Sequence, residues 1–465
     1  MLSSPTQRKL PLISATLAKA SFTLFLILSF TTPSWRDGPF SWWPLWHFPL
    51  LAGAPVTVGL FNLLPLLMTA GWLISRWLKR SKQSPWQWGP IGLTLPLLGI
   101  TILGILSLEA DLTRRTLTHA GALALFWFIY LFVLNERPSL TPPLLIITFV
   151  QGTVAIAQFA LQRDLGLLAL GELPLNPAFE GITVLYARNQ PWLRAYGLTA
   201  HPNLLGAILA MLLLWLLPLI GSLPLSPAMG GMKGGAWRQV ILLLTISTGL
   251  LGLFVTFSRS AWLAFGAGLL LWLFWHRRTS GQSQQPAKRP FPLKPIILLL
   301  PLLLLLIFNY DLVLSRLINL KTPIEATSVN QRLSDGRVAL QLINQHPWRG
   351  VGLGNYPGAA RRLDPDAHRV HNVPLYVTAE LGLPATLLWL WLMLAPFLQR
   401  QKELSKVSLL PAWTAMVVIN MFDTMVWWSS NWQTAILFAL LVGQTAQSLT
   451  SASHRGYDSP EYPPE

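Results

Sequence analysis

A histidine stands where a long polar stretch of the chain meets a hydrophobic segment. His371 lies in the run Arg369-Val370-His371-Asn372, and apolar residues take over after it. An imidazole titrates near neutral pH and can remove the proton of a hydroxyl group. Arginines lie in the same stretch, and a guanidinium can grip a phosphate through two parallel hydrogen bonds. These residue types favour a site that moves a proton beside an anionic group.

A second candidate group precedes another apolar segment. Arg194 lies on a segment predicted to be extended, and the run His201-Pro202-Asn203 follows it. Proline suits the first position of a helix, and the positive end of the helix dipole attracts anions. His201 and Asn203 are therefore candidate binding residues at the mouth of a helix. For His201, the alternative interpretation is a cap that merely starts the helix.

Three further arginines are candidates for binding an anion. Arg259 lies in the run Phe257-Ser258-Arg259-Ser260 between two apolar segments, where a charge is costly unless it snorkels or finds a partner. Arg332 and Arg337 lie in 328–343, whose apolar residues loosely fit a helical stripe on the membrane surface. In this arrangement both guanidinium groups can point away from the apolar stripe.

One motif favours a metal site instead. Asp364-Pro365-Asp366 resembles an Asp-x-Asp pair that holds a divalent cation through hard oxygen ligands. Such pairs also occur by chance in a long loop, and the proline indicates a turn. The sequence offers no other His/Asp cluster with ligand spacing, so we expect no metal and no cofactor.

Composition defines the class of protein. Hydrophobic residues make up 52% of the chain and charged residues only 11%, whereas a soluble domain carries about 25% charge. The mean hydropathy is +0.48. The chain is therefore expected to be an all-α polytopic membrane protein. It contains no cysteine, which excludes disulfides, thiol catalysis and cysteine-bound metals.

Spanning helices need about 20 mostly apolar residues each. About twelve are predicted, at 12–31, 48–70, 89–108, 117–134, 142–161, 201–220, 239–256, 260–275, 295–312, 373–398, 407–424 and 431–448. The chain then divides into helices 1 to 5 (1–161), a first outer loop (162–200), helices 6 to 9 (201–312), a large outer catalytic loop (313–372), helices 10 to 12 (373–448) and a disordered cytoplasmic tail (449–465).

The distribution of basic residues predicts the orientation. With both termini in the cytoplasm, the inward segments hold 19 of the 34 basic residues, as the positive-inside rule requires. Of the 15 outward basic residues, 14 are arginine. An arginine-rich outer surface suits an anionic headgroup, because the planar guanidinium binds phosphate in a bidentate way. The alternatives are contact with anionic lipids and simple base composition.

The order of several motifs resembles the O-antigen ligase and polymerase superfamily. The resemblance covers roughly residues 150–430. It rests on Arg-x-x-Gly-x-x-x-His-Pro-Asn at 194–203, Phe-Ser-Arg-Ser at 257–260, Arg332 followed by Pro-x-x-Gly-Val-Gly-Leu-Gly-Asn-Tyr at 347–356, and His371-Asn372 leading to Glu-x-Gly at 380–382.

The resemblance implies a C-type membrane glycosyltransferase that works without a metal. Such an enzyme moves a glycan from undecaprenyl diphosphate to an acceptor hydroxyl on the outer face of the bacterial inner membrane. Carried over by position, His371 is the base, while Arg259 and Arg332 grip the diphosphate with help from Arg194. Asp423 orients the imidazole or binds sugar. Further substrate-binding candidates are His201, Asn203, Arg337 and Asn372.

The resemblance also implies the partners. These are the lipid-linked glycan donor, a lipid A core or glycan acceptor, and membrane lipids, with no nucleic acid. The Trp-rich segment from Trp35 to Trp46 departs from the usual ligase pattern, so ligase and polymerase both stay open. Neither the sugar nor the oligomeric state follows from the sequence.

Simple chemistry is compatible with this function. Diphosphate leaves readily once arginines neutralise its charge, and direct displacement with one base predicts inversion at the anomeric carbon. A competing class is a transporter of lipid-linked glycans, because twelve helices suit one. Transporters usually place ionisable groups near the membrane midplane and show repeated halves. Neither feature is evident here.

Overall fold

The protein is helical over most of its length. A computed structural model describes residues 5–31, 44–49, 55–78, 85–108, 114–170, 172–187, 189–221, 234–280, 303, 307–317, 323–398, 409–424, 427 and 432–456. The helices are α1 (Pro5–Thr31), α2 (Leu60–Leu78), α3 (Ile91–Leu106), α4 (Arg114–Glu136), α5 (Thr141–Leu161), α6 (Pro202–Gly221), α7 (Gly234–Val255), α8 (Arg259–Ser280), α9 (Tyr310–Leu317), α10 (Pro323–Gln345), α11 (Tyr356–Leu363), α12 (Val373–Leu394), α13 (Leu410–Phe422) and α14 (Trp432–Gly456).

The apolar helices make this an all-α membrane protein, as its composition predicts. Within the described residues, six helical segments are long and apolar enough to cross a membrane. They are Leu12–Thr31, His119–Glu136, Thr141–Leu161, Pro202–Leu219, Trp237–Val255 and Val373–Leu398. The shorter apolar helices α3 and α13 accompany them. A total of about twelve spanning helices stays a prediction.

The second predicted span, 48–70, is wrong in its first half. Strands β1 (Pro44–Pro49) and β2 (Pro55–Gly59) form an antiparallel hairpin there, and α2 begins only at Leu60. Prolines at both ends of β1 oppose a helix, and the run Val56-Thr57-Val58 favours a strand.

Two other predicted boundaries also differ from the structure. The span predicted at 295–312 lies mostly outside the described residues, and α9 starts at Tyr310. Helix α14 continues to Gly456, so the predicted disordered tail begins too early at 449. The rest of that tail lies outside the described residues.

The two predicted outer loops contain regular structure. In 162–200, strands β3 (Val184–Ala187) and β4 (Gln190–Leu193) form a second antiparallel hairpin. In 313–372, α10 and α11 account for much of the segment. One face of α10 packs on α11 and α12. The buried residues of this face are Asp335, Val338, Ala339 and Leu342, at helical spacing.

Helix α12 is broken at Gly382, so the span predicted at 373–398 is two helices across a kink. Gly382 has a φ of 82°, a conformation that glycine adopts without a Cβ clash. The segment around Val351 and Gly352 is hydrogen-bonded to the backbone just before this break. The Val351 N–H donates to the Ala379 carbonyl and the Gly352 N–H donates to the Glu380 carbonyl, both at 2.8 Å. These donors satisfy carbonyls near the break.

Helices α5 and α7 pack at unusually short distance. A Cβ added at Gly152 would lie 2.5 Å from the Thr248 carbonyl oxygen, and one at Gly252 would lie 2.7 Å from the Gly152 Cα. Small residues allow membrane helices this close approach. The pairing fixes the C-terminal end of α7, whose continuation forms part of the site described next.

Candidate functional site

A cavity of about 690 Å³, lined by both charged and apolar residues, opens where α6 and α12 begin and α13 ends. We call it the first cavity. It is lined by Ala200, His201, Leu204, Pro357, Arg361, Pro365, Asp366, Ala367, His368, Arg369, His371, Asp423 and Thr424. Its lining includes three histidines, two arginines and two carboxylates. A cavity of this size with a few convergent polar groups is typical of a ligand site.

His371 and Asp423 form a pair at the wall of the first cavity. The His371 Nδ1 lies 3.5 Å from the Asp423 Oδ1. The Asp423 side chain is only 4% exposed, whereas that of His371 is 35% exposed. Because Nδ1 itself is buried, the exposed part of the ring is the part that carries Nε2. A carboxylate behind one ring nitrogen and a cavity before the other suit a general base.

The charge of Asp423 is maintained by its neighbours. Burial raises the pKa of the Asp423 carboxyl, but the contact with His371, the charges of His371 and His201, and the Thr424 N–H together hold this pKa below its ordinary value. The Thr424 N–H donates to Oδ1 at 2.8 Å. Asp423 is therefore an ionised carboxylate at neutral pH and can stabilise a protonated imidazole.

Asn372 caps helix α12. Its Oδ1 accepts a hydrogen bond from the Leu375 N–H at 3.0 Å, and its Nδ2 donates to the Met421 carbonyl at 3.1 Å. The cap function therefore falls on Asn372 and leaves the His371 ring available. The second bond ties the start of α12 to the end of α13, and so brings His371 to Asp423.

Arg194 lies beneath the first cavity and does not line it. Its side chain is 2% exposed, and its Nε donates to the Thr256 carbonyl at 2.7 Å. One terminal nitrogen donates to the Asn203 Oδ1, and the Asn203 Nδ2 lies 3.5 Å from the Asp423 Oδ2. A buried chain thus leads from the guanidinium through Asn203 to the carboxylate.

The segment that carries Arg194 is bonded to α5. The buried Gln158 accepts hydrogen bonds from the Tyr196 and Gly197 N–H groups at 3.0 and 2.7 Å. Its amide nitrogen donates to Glu172 at 2.8 Å, and Glu172 also accepts from the Leu165 and Leu167 N–H groups. These contacts hold the segment after β4 in place.

His201 both starts α6 and lines the first cavity. Its Nδ1 accepts a hydrogen bond from the Asn203 N–H at 3.1 Å, so the cap interpretation is confirmed. Pro202 is the first helical residue, as predicted. Burial, followed by the charge of Arg194, lowers the pKa of His201 to about 4. The ring is therefore neutral at pH 7 and is poorly suited to bind a proton.

This depressed pKa predicts a loss of stability in mild acid. Unfolded His201 binds a proton below about pH 6.5, whereas the folded form binds one only below about pH 4. The unfolded state therefore holds more protons between these values, and stability falls as the pH falls. We expect a loss on the order of 3 kcal/mol, read as a lower midpoint of thermal unfolding at pH 4.5 than at pH 7.

A His201→Asn variant is the matched control for this prediction. Asparagine keeps a side-chain acceptor for the start of α6 but does not titrate. We expect its midpoint to depend much less on pH. Equal acid sensitivity in both proteins would assign the effect to other groups.

The other predicted arginines do not line the first cavity. Arg259 is the first residue of α8 and is half-buried, while Arg332 and Arg337 are exposed on α10. Their assigned roles stay predictions. The structure brings His371, Asp423, Asn203, His201 and Asn372 together, with Arg194 behind them.

Sequence reasoning missed three basic residues of the first cavity. Arg361 lies at the end of α11, and His368 and Arg369 precede His371. The excess of arginine on the outer side was a signal for them, but it did not single out these positions. Arg316 is also near, since its charge lowers the pKa of His201 and its Nε donates to the Phe257 carbonyl at 3.0 Å.

The Asp364-Pro365-Asp366 run forms a turn held by α10. The Asp364 Oδ1 accepts from the Asp366 N–H at 3.0 Å, and its Oδ2 accepts from the Ser334 hydroxyl at 3.3 Å. The buried Asp335 accepts from the His368 N–H at 2.8 Å. Within the described part of the chain, no three His, Asp or Glu side chains group as a metal site. Metal independence stays a prediction.

The helices and the cavity define a class: a multi-helix membrane protein with a histidine–carboxylate pair at the wall of a cavity that holds two arginines. Residues 242–390 match the family model described as O-antigen ligase. The chain therefore carries an O-antigen ligase domain over these residues, and the resemblance to that superfamily is confirmed. The match includes Arg259, Arg332 and His371 but ends before Asp423. No curated protein matches the chain significantly.

Proposed function

We propose that the protein is a glycosyltransferase of the O-antigen ligase type. It moves a glycan from undecaprenyl diphosphate to an acceptor hydroxyl, such as one on the lipid A core. The observation that carries the proposal is the His371–Asp423 pair, 3.5 Å apart, at the wall of a cavity that also holds Arg361 and Arg369. The O-antigen ligase domain supports the same reaction type.

The proposed reaction is a direct displacement. His371 takes the proton from the acceptor hydroxyl as its oxygen attacks the anomeric carbon. The bond between that carbon and the diphosphate breaks, and the electron pair leaves with undecaprenyl diphosphate. Asp423 stabilises the imidazolium that forms, and a single displacement inverts the anomeric centre. General base catalysis of this kind contributes about 10²–10⁴-fold.

The proposal includes a position in the cell envelope. The cavity faces outward from the bacterial inner membrane, with both termini in the cytoplasm. This orientation rests on the excess of basic residues in the inward segments. About twelve helices span the membrane, and the donor enters from the outer leaflet.

A reconstituted assay tests the proposed function. Full-length protein in liposomes receives undecaprenyl diphosphate glycan, together with either lipid A core or a second lipid-linked glycan. Transfer to lipid A core with inversion supports the ligase, and chain extension instead supports a polymerase. Movement of intact donor across the bilayer without transfer would support a transporter. We expect activity to survive exhaustive EDTA treatment.

Arg259→Lys and Arg332→Lys are expected to lower transfer at least about tenfold each, although the charge is kept. A lysine ammonium does not reproduce the bidentate guanidinium contact with phosphate. Initial rates at saturating acceptor measure the effect. Arg238→Lys, an exposed arginine at the start of α7, is the control and should retain the normal rate. Normal rates in both test variants would remove these arginines from the diphosphate site.

A further inference from the structure

A second cavity of about 520 Å³ lies beside the first. It is lined by Leu342, Gln345, His346, Gly350, Val351, Asn355, Gly358, Ala359, Arg362 and Leu363. None of these residues is acidic, whereas the first cavity contains two aspartates. The only fixed charge of this wall is the Arg362 guanidinium.

Arg362 is positioned to bind an anion. It is exposed, and no carboxylate in the described ranges lies within ion-pair distance of it. His346, Gln345 and Asn355 add polar groups to the same wall. An arginine beside neutral polar groups favours phosphate, which takes several charge-assisted hydrogen bonds at once.

Apolar side chains belong to the same wall. Leu342 is 3% exposed and packs into the core, while Leu363 is 41% exposed at the rim. Trp348, which precedes Gly350 in the same segment, is 69% exposed. A wall that combines one guanidinium with polar and apolar side chains suits an amphiphile. The ligand is therefore expected to carry both a phosphate and a lipid chain.

The floor of the second cavity is rigid. Gly350, with a φ of 62°, lies so close to α12 that an added Cβ would be 2.3 Å from the Glu380 carbonyl carbon. The Val351 N–H is bonded to the Ala379 carbonyl, and the Asn355 amide donates to the Val351 carbonyl at 3.1 Å. Because this floor is bonded to α12 at its break, the second cavity is preformed, which lowers the cost of ordering on binding.

Helix α11 separates the two cavities. Arg361 lines the first and Arg362 the second, as expected for consecutive residues that point about 100° apart on a helix. The cavities therefore lie on two faces of one short helix, whose diameter is about 10–12 Å. Two ligands bound there would be within reach of each other.

We propose that the second cavity binds the phosphate of a lipid-anchored acceptor saccharide. The inference rests on the proposed function, in which His371 takes the proton from the hydroxyl of a second substrate, the acceptor. The geometry further implies that the attacking hydroxyl lies about one helix diameter from the bound phosphate. A hydroxyl one or two sugar rings away from the phosphate meets this condition.

Site-specific labelling tests binding without requiring turnover. The chain has no cysteine, so Ala359→Cys reports on the second cavity and Ala200→Cys on the first. Full-length protein in phosphatidylcholine nanodiscs is labelled with a maleimide in the presence of decyl phosphate or decyl glucoside. We expect decyl phosphate to protect Ala359→Cys at about tenfold lower concentration than decyl glucoside. Adding Arg362→Gln should abolish the difference.

Kinetics assign the ligand to the acceptor. Arg362→Gln is expected to raise the KM for a phosphorylated acceptor about tenfold and to leave the KM for the donor unchanged. With a dephosphorylated acceptor the variant and the native protein should match. The control Arg238→Gln, at an exposed arginine outside both cavities, should leave the KM for the acceptor unchanged.

Two outcomes would overturn the inference. Equal protection by the two amphiphiles would show that the second cavity does not select phosphate. Protection already present in phosphatidylglycerol nanodiscs, with a normal acceptor KM in Arg362→Gln, would assign the cavity to a membrane phospholipid. A chain that shows selective protection but transfers no glycan would instead contradict the proposed function.

Discussion

A His371→Ala variant is expected to lose glycan transfer by about 10²–10⁴-fold, the usual contribution of a general base. The donor should still bind, because the imidazole acts on the acceptor hydroxyl. The fold should also survive, since Asn372 rather than His371 caps α12. Single-turnover transfer and a separate donor-binding measurement distinguish these effects.

Two further variants make the test of His371 specific. His371→Asn keeps a polar side chain but no base, and it should be as inactive as the alanine variant. His276→Ala removes an exposed imidazole on α8, outside both cavities, and it should keep most of the activity. A His371→Asn variant with the native transfer rate would exclude the catalytic role.

Asp423→Asn is expected to lower kcat about 10²-fold, within the range for general base catalysis. Asparagine fills the same volume but does not offset the positive charge of the imidazolium as the reaction proceeds. The KM values should change little, because the carboxylate is buried behind the imidazole. Folding should be retained, since a neutral amide costs less to bury than a carboxylate.

A variant that combines His371→Ala with Asp423→Asn tests whether Asp423 acts through His371 or contacts the sugar directly. If Asp423 acts through His371, then His371→Ala with Asp423→Asn should be no slower than His371→Ala alone. Multiplicative losses in the double variant would contradict this, and would favour a direct contact of Asp423 with sugar. A pH profile of kcat that differs between Asp423→Asn and the native protein would support the coupling to the imidazole.

The sequence was sufficient where the signal is local. Apolar segments long enough to cross a membrane predicted the segments that became α4 to α7, because burial in lipid depends on composition over about 20 residues. Pro202 predicted the first residue of α6 for the same local reason. Signals at 48–70 conflicted, since hydropathy favoured a helix while prolines and β-branched residues formed a hairpin.

The break in α12 depends on a distant segment. Glycine and proline occur in intact membrane helices as well as in broken ones, so Gly382 and Pro384 did not distinguish the two. The backbone donors at Val351 and Gly352 decided the outcome. They precede the break by about 30 residues in the chain, and no helical or strand period links them to it.

The sequence by itself determined the class of protein and singled out His371 as the candidate base, while the outward side with its arginines stays a prediction. Only the tertiary structure decided what surrounds that base. Asn203 and Asp423 are 220 residues apart in the chain, and Asn372 brings Asp423 to the imidazole by bonding to the end of α13. The packing of helices creates such contacts, and local sequence patterns carry no information about which distant side chains will meet.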